Sequence, residues 1–244
     1  LWNAEAVRYA LAPTAAFDSD DFLKILEASG TLKPQSRVLD LGCGSGIYSV
    51  AIAKRVRDVV GIDISEKMID FARKRALAEH QDNCAFSVLN WKNADVGRQG
   101  LLKAFDVAVA RLTPAVGTPQ DIDKLLLCAK SRVFFEHFVQ RSHPWMHLVF
   151  EIAGAGMPWD DERVWNLIEC LRQRGCAVKL HRRQAQWGSE NCPWERVADF
   201  CLRRLALRGA VTGELAQTIR KELQQRSVNG VLDARENLTL LTAE

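Results

Sequence analysis

The sequence predicts an α/β protein with an open, doubly wound, mostly parallel sheet of seven strands. Three observations support this fold class. Short apolar runs alternate with helical periodicity through the first two-thirds of the chain. Their order is the one that places helices on both faces of a parallel sheet. A turn with three glycines at alternate positions joins the first apolar run to the first helical segment.

The first part of the chain contains five predicted strands and three predicted helices. RVLDL, after Pro34, is a short apolar run that is typical of a buried parallel strand. Ser65 is placed to cap one helix, with Glu66 in its first turn. The predicted strands are 37–41, 58–64, 85–90, 105–112 and 132–138. The predicted helices are 46–56, 65–80 and about 119–130.

The pattern becomes irregular after residue 140, where a long connection rich in Trp, Pro and Gly begins. A helix that ends at Gly175, a strand, two helices and a final strand complete the prediction. Their ranges are 162–174, 176–184, about 193–207, about 212–225 and 236–243. Long loops in a compact domain are usually functional or mobile. We therefore expect residues 139–160 and 185–230 to form cap elements around a site.

The composition is that of an ordinary globular protein. Hydrophobic residues make up 48% and charged residues 26% of the 244 residues. The net charge of +3 demands neither nucleic acid nor an anionic membrane as a partner. The charge is uneven, because nine Lys or Arg residues occur against three Asp or Glu residues between Leu171 and Arg208.

Neither a membrane span nor a secretion signal is expected. No apolar run approaches the roughly 20 residues that cross a bilayer. The start of the chain lacks a basic segment followed by a long apolar core, and the absence of an initiator Met leaves the natural start open. Seven cysteines without CxxC pairs argue against a disulfide framework and a zinc site. We expect reduced thiols in a cytoplasmic protein.

The turn lies in VLDLGCGSGIYS, residues 38–49. Its glycines can adopt positive φ and have no Cβ, so a ligand can lie against their backbone; a merely tight turn would rarely need all three. A dinucleotide loop needs a glycine where Ile47 stands, and a phosphate loop needs Lys and Ser or Thr after its last glycine. Asp40 can accept a hydrogen bond from an ammonium group or from backbone amides of the turn.

A second acid ends the next strand. Asp63 lies nineteen residues after Gly44, and a carboxylate at this position can accept both hydroxyls of a ribose. Alone, it could equally be a solvated loop acid beside a helix cap. Together with Asp40 and the glycine turn, it favours the ribose interpretation.

VLDLGCGSG followed by VVGIDIS resembles the first two motifs of class I S-adenosylmethionine-dependent methyltransferases. The resemblance covers residues 18–138 and implies a Rossmann-like, cofactor-binding core. It implies that the turn packs against the methionine part of S-adenosylmethionine, that Asp63 holds the ribose, and that Ile64 and Met68 contact the adenine. The turn residues concerned are Gly42, Cys43, Gly44 and Gly46.

Two further motifs are placed by the resemblance. Asn90 stands where the family often has an aspartate that accepts from the adenine amino group, and Trp91 either covers the purine or belongs to the core. Ala110, Arg111 and Leu112 are implied to lie near the methionine end. The loop after them lacks the Asn/Asp-Pro-Pro-aromatic pattern of members that methylate amino groups of adenine, which weakens a DNA reading.

Catalytic residues are weakly indicated, because the sulfonium cofactor needs a base only when the acceptor is protonated. The candidates are Glu136, His137 and His143. His147 and His181 are further candidates. His143, His147 and Glu151 would share one face of a helix, but we expect no metal site. Tryptophans 145, 159, 165, 187 and 194 either pack the cap or form an aromatic wall for the acceptor.

The sequence therefore predicts a methyltransferase that transfers the methyl group of S-adenosylmethionine to a small-molecule acceptor by in-line displacement, with S-adenosylhomocysteine as product. Cap insertions around the C-terminal strands favour an enclosed pocket. One alternative is RNA methylation through the basic segment 171–208. Another is a cofactor-binding protein without catalysis. The acceptor and the oligomeric state are not indicated.

Overall fold

Strands and helices alternate in the computed structural model, which describes residues 3, 6, 20–156 and 162–244. The helices are α1 (Asp21–Ala28), α2 (Ile47–Ala53), α3 (Glu66–Ala78), α4 (Pro119–Cys128), α5 (Met146–Ile152), α6 (Glu162–Gln173), α7 (Trp194–Ala206) and α8 (Gly213–Arg226), with a 3-10 turn at Trp91–Asn93. The strands are β1 (Arg37–Leu41), β2 (Asp58–Asp63), β3 (Cys84–Val88), β4 (Phe105–Arg111), β5 (Ala129–Ser142), β6 (Leu180–Trp187), β7 (Cys192–Pro193), β8 (Val231–Leu232) and β9 (Glu236–Ala243).

Seven of these strands form one sheet in the order β3-β2-β1-β4-β5-β9-β6, and β7 pairs with β8 separately. The pairs β1–β2, β1–β4, β2–β3 and β4–β5 are parallel. The strand order reverses between β1 and β4, which is the point where open α/β sheets leave a crevice for a ligand. The predicted fold class, a Rossmann-like and mostly parallel seven-stranded sheet, is confirmed.

Local sequence explains why the helices begin where they do. The Ser65 side chain accepts from the Met68 amide at 3.2 Å and caps α3, as predicted. Thr118 caps α4 in a capping box with Asp121, and Pro119 occupies the first turn, where its missing N–H is not needed. These caps fix two helix starts at the carboxyl edge of the sheet.

The described residues divide into two compact units. The first comprises the described residues through His137 together with Trp165–His181 and Leu241–Glu244. Its core packs α1 and α2 against β1, β2, β4 and β5, and a second cluster packs α3 against Phe86. The second comprises the described residues between Phe138 and Val164 together with Arg182–Leu240. It has its own core, formed largely by the apolar faces of α5, α7 and α8.

Several elements differ from the prediction. The predicted helix over 119–130 stops at Cys128 because Ala129 is already extended and begins a strand that runs to Ser142. The strand predicted from Cys176 begins only at Leu180. The reason is local: the Cys176 amide donates to the Leu171 carbonyl and closes the end of α6. The irregular connection after residue 140 contains α5, a helix too short to show a clear period.

No described helix has both the length and the apolar composition that crossing a membrane requires.

Phe134 tests the core of the first unit, because its ring is completely buried among apolar side chains of that core. We expect Phe134→Ala to lower the free energy of unfolding by about 3–5 kcal/mol, through lost burial and an unfilled cavity. Leu77→Ala is the control, since Leu77 is 75% exposed; its effect should stay within about 0.5 kcal/mol. Urea denaturation followed by circular dichroism measures both. Equal effects would contradict this core assignment.

Candidate functional site

The carboxyl ends of four neighbouring strands bring most of the predicted site residues to one edge of the sheet. Leu41 of β1 pairs with Ile62 of β2 and with Ala110 of β4. Arg111, the last residue of β4, pairs with Glu136 of β5. The glycine turn after β1, the acid that ends β2 and the loop after β4 therefore lie next to one another.

The backbone amides of the glycine turn are used inside the protein. Four of them donate to protein acceptors: those of Gly42, Cys43, Gly44 and Gly46. Two reach the carbonyl oxygen of Ile62 at 2.7 and 3.0 Å, and one reaches Oδ2 of Asp63 at 3.0 Å. A phosphate-binding loop instead points its amides at the ligand. The geometry therefore disfavours a phosphate as the group that lies against this turn.

The three glycines of the turn serve different purposes, although all have positive φ. A Cβ on Gly42 would lie 2.0 Å from Oγ1 of Thr113, and one on Gly46 would lie 2.8 Å from the Cβ of Ala72. A Cβ on Gly44 would meet nothing within 4 Å. Gly42 and Gly46 are thus required by packing, whereas Gly44 leaves open space at the surface of the turn. Gly44 is the position where a ligand has room to approach the backbone.

Asp63 connects the turn to β2 and keeps acceptor capacity. Its Oδ2 accepts from the Gly44 amide at 3.0 Å and its Oδ1 accepts from the Ser65 amide at 2.8 Å. Burial raises the pKa of this carboxyl, and the backbone amides oppose that rise. A carboxylate offers about four acceptor positions, so acceptor capacity remains beyond the bonds from backbone amides. The remaining capacity is available to a ribose hydroxyl.

Asp40 is a buried acid directly before the turn, only 3% exposed. Ser49 Oγ donates to its Oδ2 at 2.5 Å. Burial raises the pKa of Asp40 to about 6; the Ser49 bond and the Arg111 charge oppose this rise, and the Asp63 charge adds to it. The site therefore holds a carboxylate whose ionisation is costly, and a ligand cation would favour that ionisation.

Apolar side chains are exposed where β2 and β3 end. Ile64 is 53% exposed and Val88, which pairs with Asp63, is 48% exposed. Met68, by contrast, is only 4% exposed and belongs to the interior. Val88 was not among the predicted site residues, because only the pairing of β3 with β2 brings it beside Asp63. Together Ile64 and Val88 offer an apolar surface of the kind that a purine covers.

Asn90 and Trp91 follow β3 in a polar turn. Asn90 is exposed, and its Oδ1 accepts from the Lys92 amide at 3.1 Å, which caps the short 3-10 turn. Trp91 is only 2% exposed, and the Lys124 ammonium lies 5.2 Å from its ring centroid. Its indole Nε1 has no hydrogen-bond partner among the described residues. The geometry favours the core alternative for Trp91 over an open purine cover.

The end of β4 contributes a confined cation. Arg111 stacks on Tyr48 with 4.1 Å between Cζ and the ring centroid, and Cζ lies 5.5 Å from the ring centroid of Phe22. Its Nε lies 2.8 Å from Oε1 of Glu136, although its N–H does not point along that line. Ala110 is completely buried, and Leu112 has a φ of 50°. Tyr48 and Phe22 were not predicted, because residues far apart in sequence build this stack.

Residues 32–137 match a family model described as a methyltransferase domain. We refer to this part of the chain as the methyltransferase domain, after the family model that it matches. It contains the glycine turn, Asp63 and Arg111, so the family match and the geometry concern the same edge of the sheet.

Relatives of the methyltransferase domain act on different acceptors. A stretch of 81 residues, 33% of this chain, is 35% identical to the magnesium-protoporphyrin O-methyltransferase of Rhodobacter capsulatus and spans 36% of that protein. A stretch of 131 residues, 49% of this chain, is 31% identical to the 23S rRNA (uracil(1939)-C(5))-methyltransferase RlmD of Vibrio parahaemolyticus and spans 29% of that protein. This chain thus spans about a third of the length of these relatives.

A solved structure shows the same fold at low sequence identity. The magnesium protoporphyrin IX methyltransferase of Synechocystis PCC 6803, with S-adenosylhomocysteine bound, has a TM-score of 0.54 and 15% identity, covering 92% of this chain and 80% of that one. At this identity the likeness concerns the fold alone.

The candidate bases differ in surroundings. Glu136, within the methyltransferase domain, is completely buried, and its Oε2 accepts from Thr242 Oγ1 at 2.8 Å. His137 is 8% exposed and stacks on Phe135 at 6.2 Å. His143 belongs to the second unit, where burial lowers its pKa to about 4. None of these contacts identifies a proton acceptor for the reaction.

The structure does not place His143, His147 and Glu151 on one helix. Helix α5 begins at Met146, so His143 precedes it. His143 is buried against Phe200, whereas His147 and Glu151 are exposed. Among the residues that the structure describes, no group of three or more His, Cys, Asp or Glu could hold a metal ion.

The tryptophans do not form a single wall within either unit. Trp145 donates its Nε1 hydrogen to the Asp233 carbonyl at 2.7 Å, and Trp194 packs against the second core. Trp165 is 45% exposed and Trp187 is 39% exposed. Trp159 lies outside the described residues. Two of these side chains therefore pack, as the first alternative expected, and two are available to solvent.

Alanine substitution can distinguish Gly46, the packed glycine of the turn, from Gly44, the open one. Gly44→Ala should lower the free energy of unfolding by about 1–2 kcal/mol, the cost of a left-handed alanine. Gly46→Ala should cost a further 1–3 kcal/mol, roughly, because its Cβ would overlap Ala72. Chemical denaturation of both variants measures the difference. Equal losses would contradict the distinction between a packed glycine and an open one.

Proposed function

We propose that the protein is an S-adenosylmethionine-dependent methyltransferase that acts on a small molecule. The observation that carries this proposal is the turn itself. Four of its amides donate hydrogen bonds inside the protein, Gly44 leaves open space, and the carboxylates of Asp40 and Asp63 flank it. Such a surface suits an adenosyl group with a cationic end and is poorly suited to a phosphate.

The polar, apolar and charged groups of the site match the parts of the cofactor. Asp63 has acceptor positions left for the ribose, and Ile64 and Val88 offer an apolar surface for the adenine. Asp40 and Arg111 carry opposite charges close enough to influence ionisation. An α-amino acid carries an ammonium and a carboxylate on one carbon, so this pair suits the methionine part. Cys43, Met68 and Ala110 would contribute backbone contacts and packing.

When bound, S-adenosylmethionine supplies an activated methyl group on a sulfonium. The residues of the chain then have three tasks: to bind the donor, to hold donor and acceptor in line, and to exclude water. The turn and Asp63 would fix the adenosyl part, while Arg111 and Asp40 would fix the amino acid end. With both ends held, the methyl group has one orientation, which is the entropic part of catalysis.

We propose that the acceptor is selected by residues 139–160 and 185–230. The family match ends at residue 137, and the described part of these segments lies in the second compact unit. That unit has its own core, so its surface can vary independently of the cofactor site. The segments are thus proposed as the cap that the sequence suggested.

RNA is the second candidate acceptor, favoured by the basic segment 171–208 and by the stretch shared with RlmD. Part of that charge is already neutralised: Arg174 pairs with Asp123, and Arg172 lies 3.7 Å from Glu169. Binding to RNA that falls steeply with added salt would support this candidate. Indifference to RNA at low salt would remove it.

A cytoplasmic location is proposed from cysteine chemistry. All seven cysteines are free thiols. A reducing compartment keeps such thiols free.

The function is tested by calorimetric titration of the purified protein with S-adenosylmethionine, S-adenosylhomocysteine and NAD in parallel. We expect the first two to bind and the third not to bind. Binding of NAD alone would reverse the assignment of the turn. Release of S-adenosylhomocysteine with a cell extract as acceptor source then separates an enzyme from a cofactor-binding protein without turnover.

Asp63→Ala should weaken the binding of S-adenosylhomocysteine by about 1.5–3 kcal/mol, the scale of hydrogen bonds to a charged group. Calorimetry of the folded variant measures the loss. Asp70→Ala is the matched control, because Asp70 is an exposed acid on α3, 57% exposed at its side chain. Unchanged affinity in a folded Asp63→Ala protein would refute the ribose assignment.

Cofactor affinity should fall in acid because Asp40 must be ionised to accept from the ligand ammonium. The pKa of Asp40 in the free protein is about 6. Below that pH the carboxyl must first lose a proton, so the dissociation constant should rise by up to about tenfold per pH unit. Above it the affinity should level off. Asp40→Asn should bind weakly at every pH and lose this dependence; a dependence that persists in this variant would assign it to another group.

A further inference from the structure

Glu136 contacts Arg111, Leu112 and Thr242, all within the first unit. Its Oε1 lies 2.8 Å from Arg111 Nε, and its Oε2 accepts from Thr242 Oγ1 at 2.8 Å. Its backbone oxygen accepts from the Leu112 amide at 2.8 Å. One residue thus holds the side chain of Arg111 and the backbone that follows it.

This arrangement is difficult to explain by stability alone. Glu136 is completely buried, and removing a carboxylate from water costs several kcal/mol, roughly, before any partner compensates. The Arg111 Nε–H is not aligned with the carboxylate, so this ion pair lacks a well-formed hydrogen bond from Nε. Leu112 also adopts a φ of 50°, a conformation that costs about 1–2 kcal/mol in a residue other than glycine. Strain of this kind concentrates at functional sites.

The guanidinium of Arg111 is confined on several sides. Tyr48 covers one part of it, Phe22 lies near, and the Nε atom lies beside the Glu136 carboxylate. No hydrogen bond within the described part of the chain is donated by its two Nη atoms, and 12% of the side chain is exposed. The planar group therefore has a fixed orientation, with the Nη edge left to bind something else. Two parallel N–H donors fit a carboxylate.

Asp40 indicates which carboxylate would bind. Asp40 pairs with Val109 of β4, two residues before Arg111, and the Arg111 charge opposes the rise in the pKa of Asp40. A ligand group with an ammonium and a carboxylate on one carbon complements this pair, and the methionine end of the proposed cofactor is such a group.

We propose that Glu136 is a positioning residue that orients Arg111 to bind the α-carboxylate of the cofactor's methionine part. This inference rests on the proposed function. It also gives Glu136 a role other than general base, since its carboxylate is buried and already bound. Glu136 contacts the ligand only through Arg111, so its effect must disappear when Arg111 or the ligand carboxylate is removed.

The test compares two ligands in calorimetric titrations: S-adenosylhomocysteine, which carries the amino acid end, and 5′-methylthioadenosine, which lacks it. Arg111→Gln should weaken the binding of S-adenosylhomocysteine by about tenfold to a hundredfold, the range for charge-assisted hydrogen bonds. Glu136→Gln should weaken it by about threefold to tenfold. Both variants should bind 5′-methylthioadenosine as the unmodified protein does. The double variant should bind no more weakly than Arg111→Gln, because Glu136 then has nothing to orient.

The controls separate positioning from general damage. Glu27→Gln removes a carboxylate that pairs with Arg55 elsewhere in the same unit and should leave both affinities unchanged. Should Glu136→Gln fail to fold, Thr242→Val serves in its place, because it removes the hydroxyl that donates to the Glu136 carboxylate. This variant should weaken the binding of S-adenosylhomocysteine but not that of 5′-methylthioadenosine. Any of three results would overturn the inference while leaving the proposed function intact. These are equal weakening of the binding of both ligands, unchanged binding of S-adenosylhomocysteine by the variants, and additive losses of affinity in the double variant. Failure of the unmodified protein to bind either ligand would overturn both.

Discussion

The closure of the glycine turn onto β2 is the constraint on which the site depends. Hydrogen bonds from the turn to the Ile62 carbonyl and the Asp63 carboxylate hold the chain where β1 passes into α2. Because these amides are bonded inside the protein, they are not presented to a phosphate. Because Asp63 both anchors the turn and keeps acceptor positions free, one carboxylate connects the shape of the site to its chemistry.

Close packing restricts the same turn from two sides. Thr113, in the loop after β4, occupies the space a Cβ would need at Gly42, and Ala72 of α3 does so at Gly46. The turn is therefore held between the loop after β4 and a helix that follows β2. These contacts leave Gly44 as the open glycine of the three, which limits where a ligand can approach. The spacing of the glycines is thus a packing requirement as much as a binding motif.

Charged groups at this edge of the sheet partly compensate one another, but their burial costs free energy. Asp40 is buried with a raised pKa, and Glu136 is buried against Arg111. Buried ion pairs contribute little net stability, because desolvation offsets the Coulomb attraction. We expect such an arrangement where a charged ligand pairs with the buried groups. The second unit has its own apolar core and contains a buried ion pair between Arg141 and Glu236.

The sequence by itself determined the fold class, the order of the first strands and the position of the glycine turn, because these follow from local periodicity and from backbone conformations that only glycine adopts easily. It also indicated Asp40 and Asp63, since acids at the ends of parallel strands share one edge. The tertiary structure alone decided which glycine stays open, that Met68 and Trp91 are interior, and that Val88, Tyr48 and Phe22 adjoin the site. Those properties depend on strand register and on contacts between distant residues. The same reason explains why Glu136 appeared first as a base: its partners Arg111 and Thr242 lie far from it in sequence, and only the folded sheet brings them together.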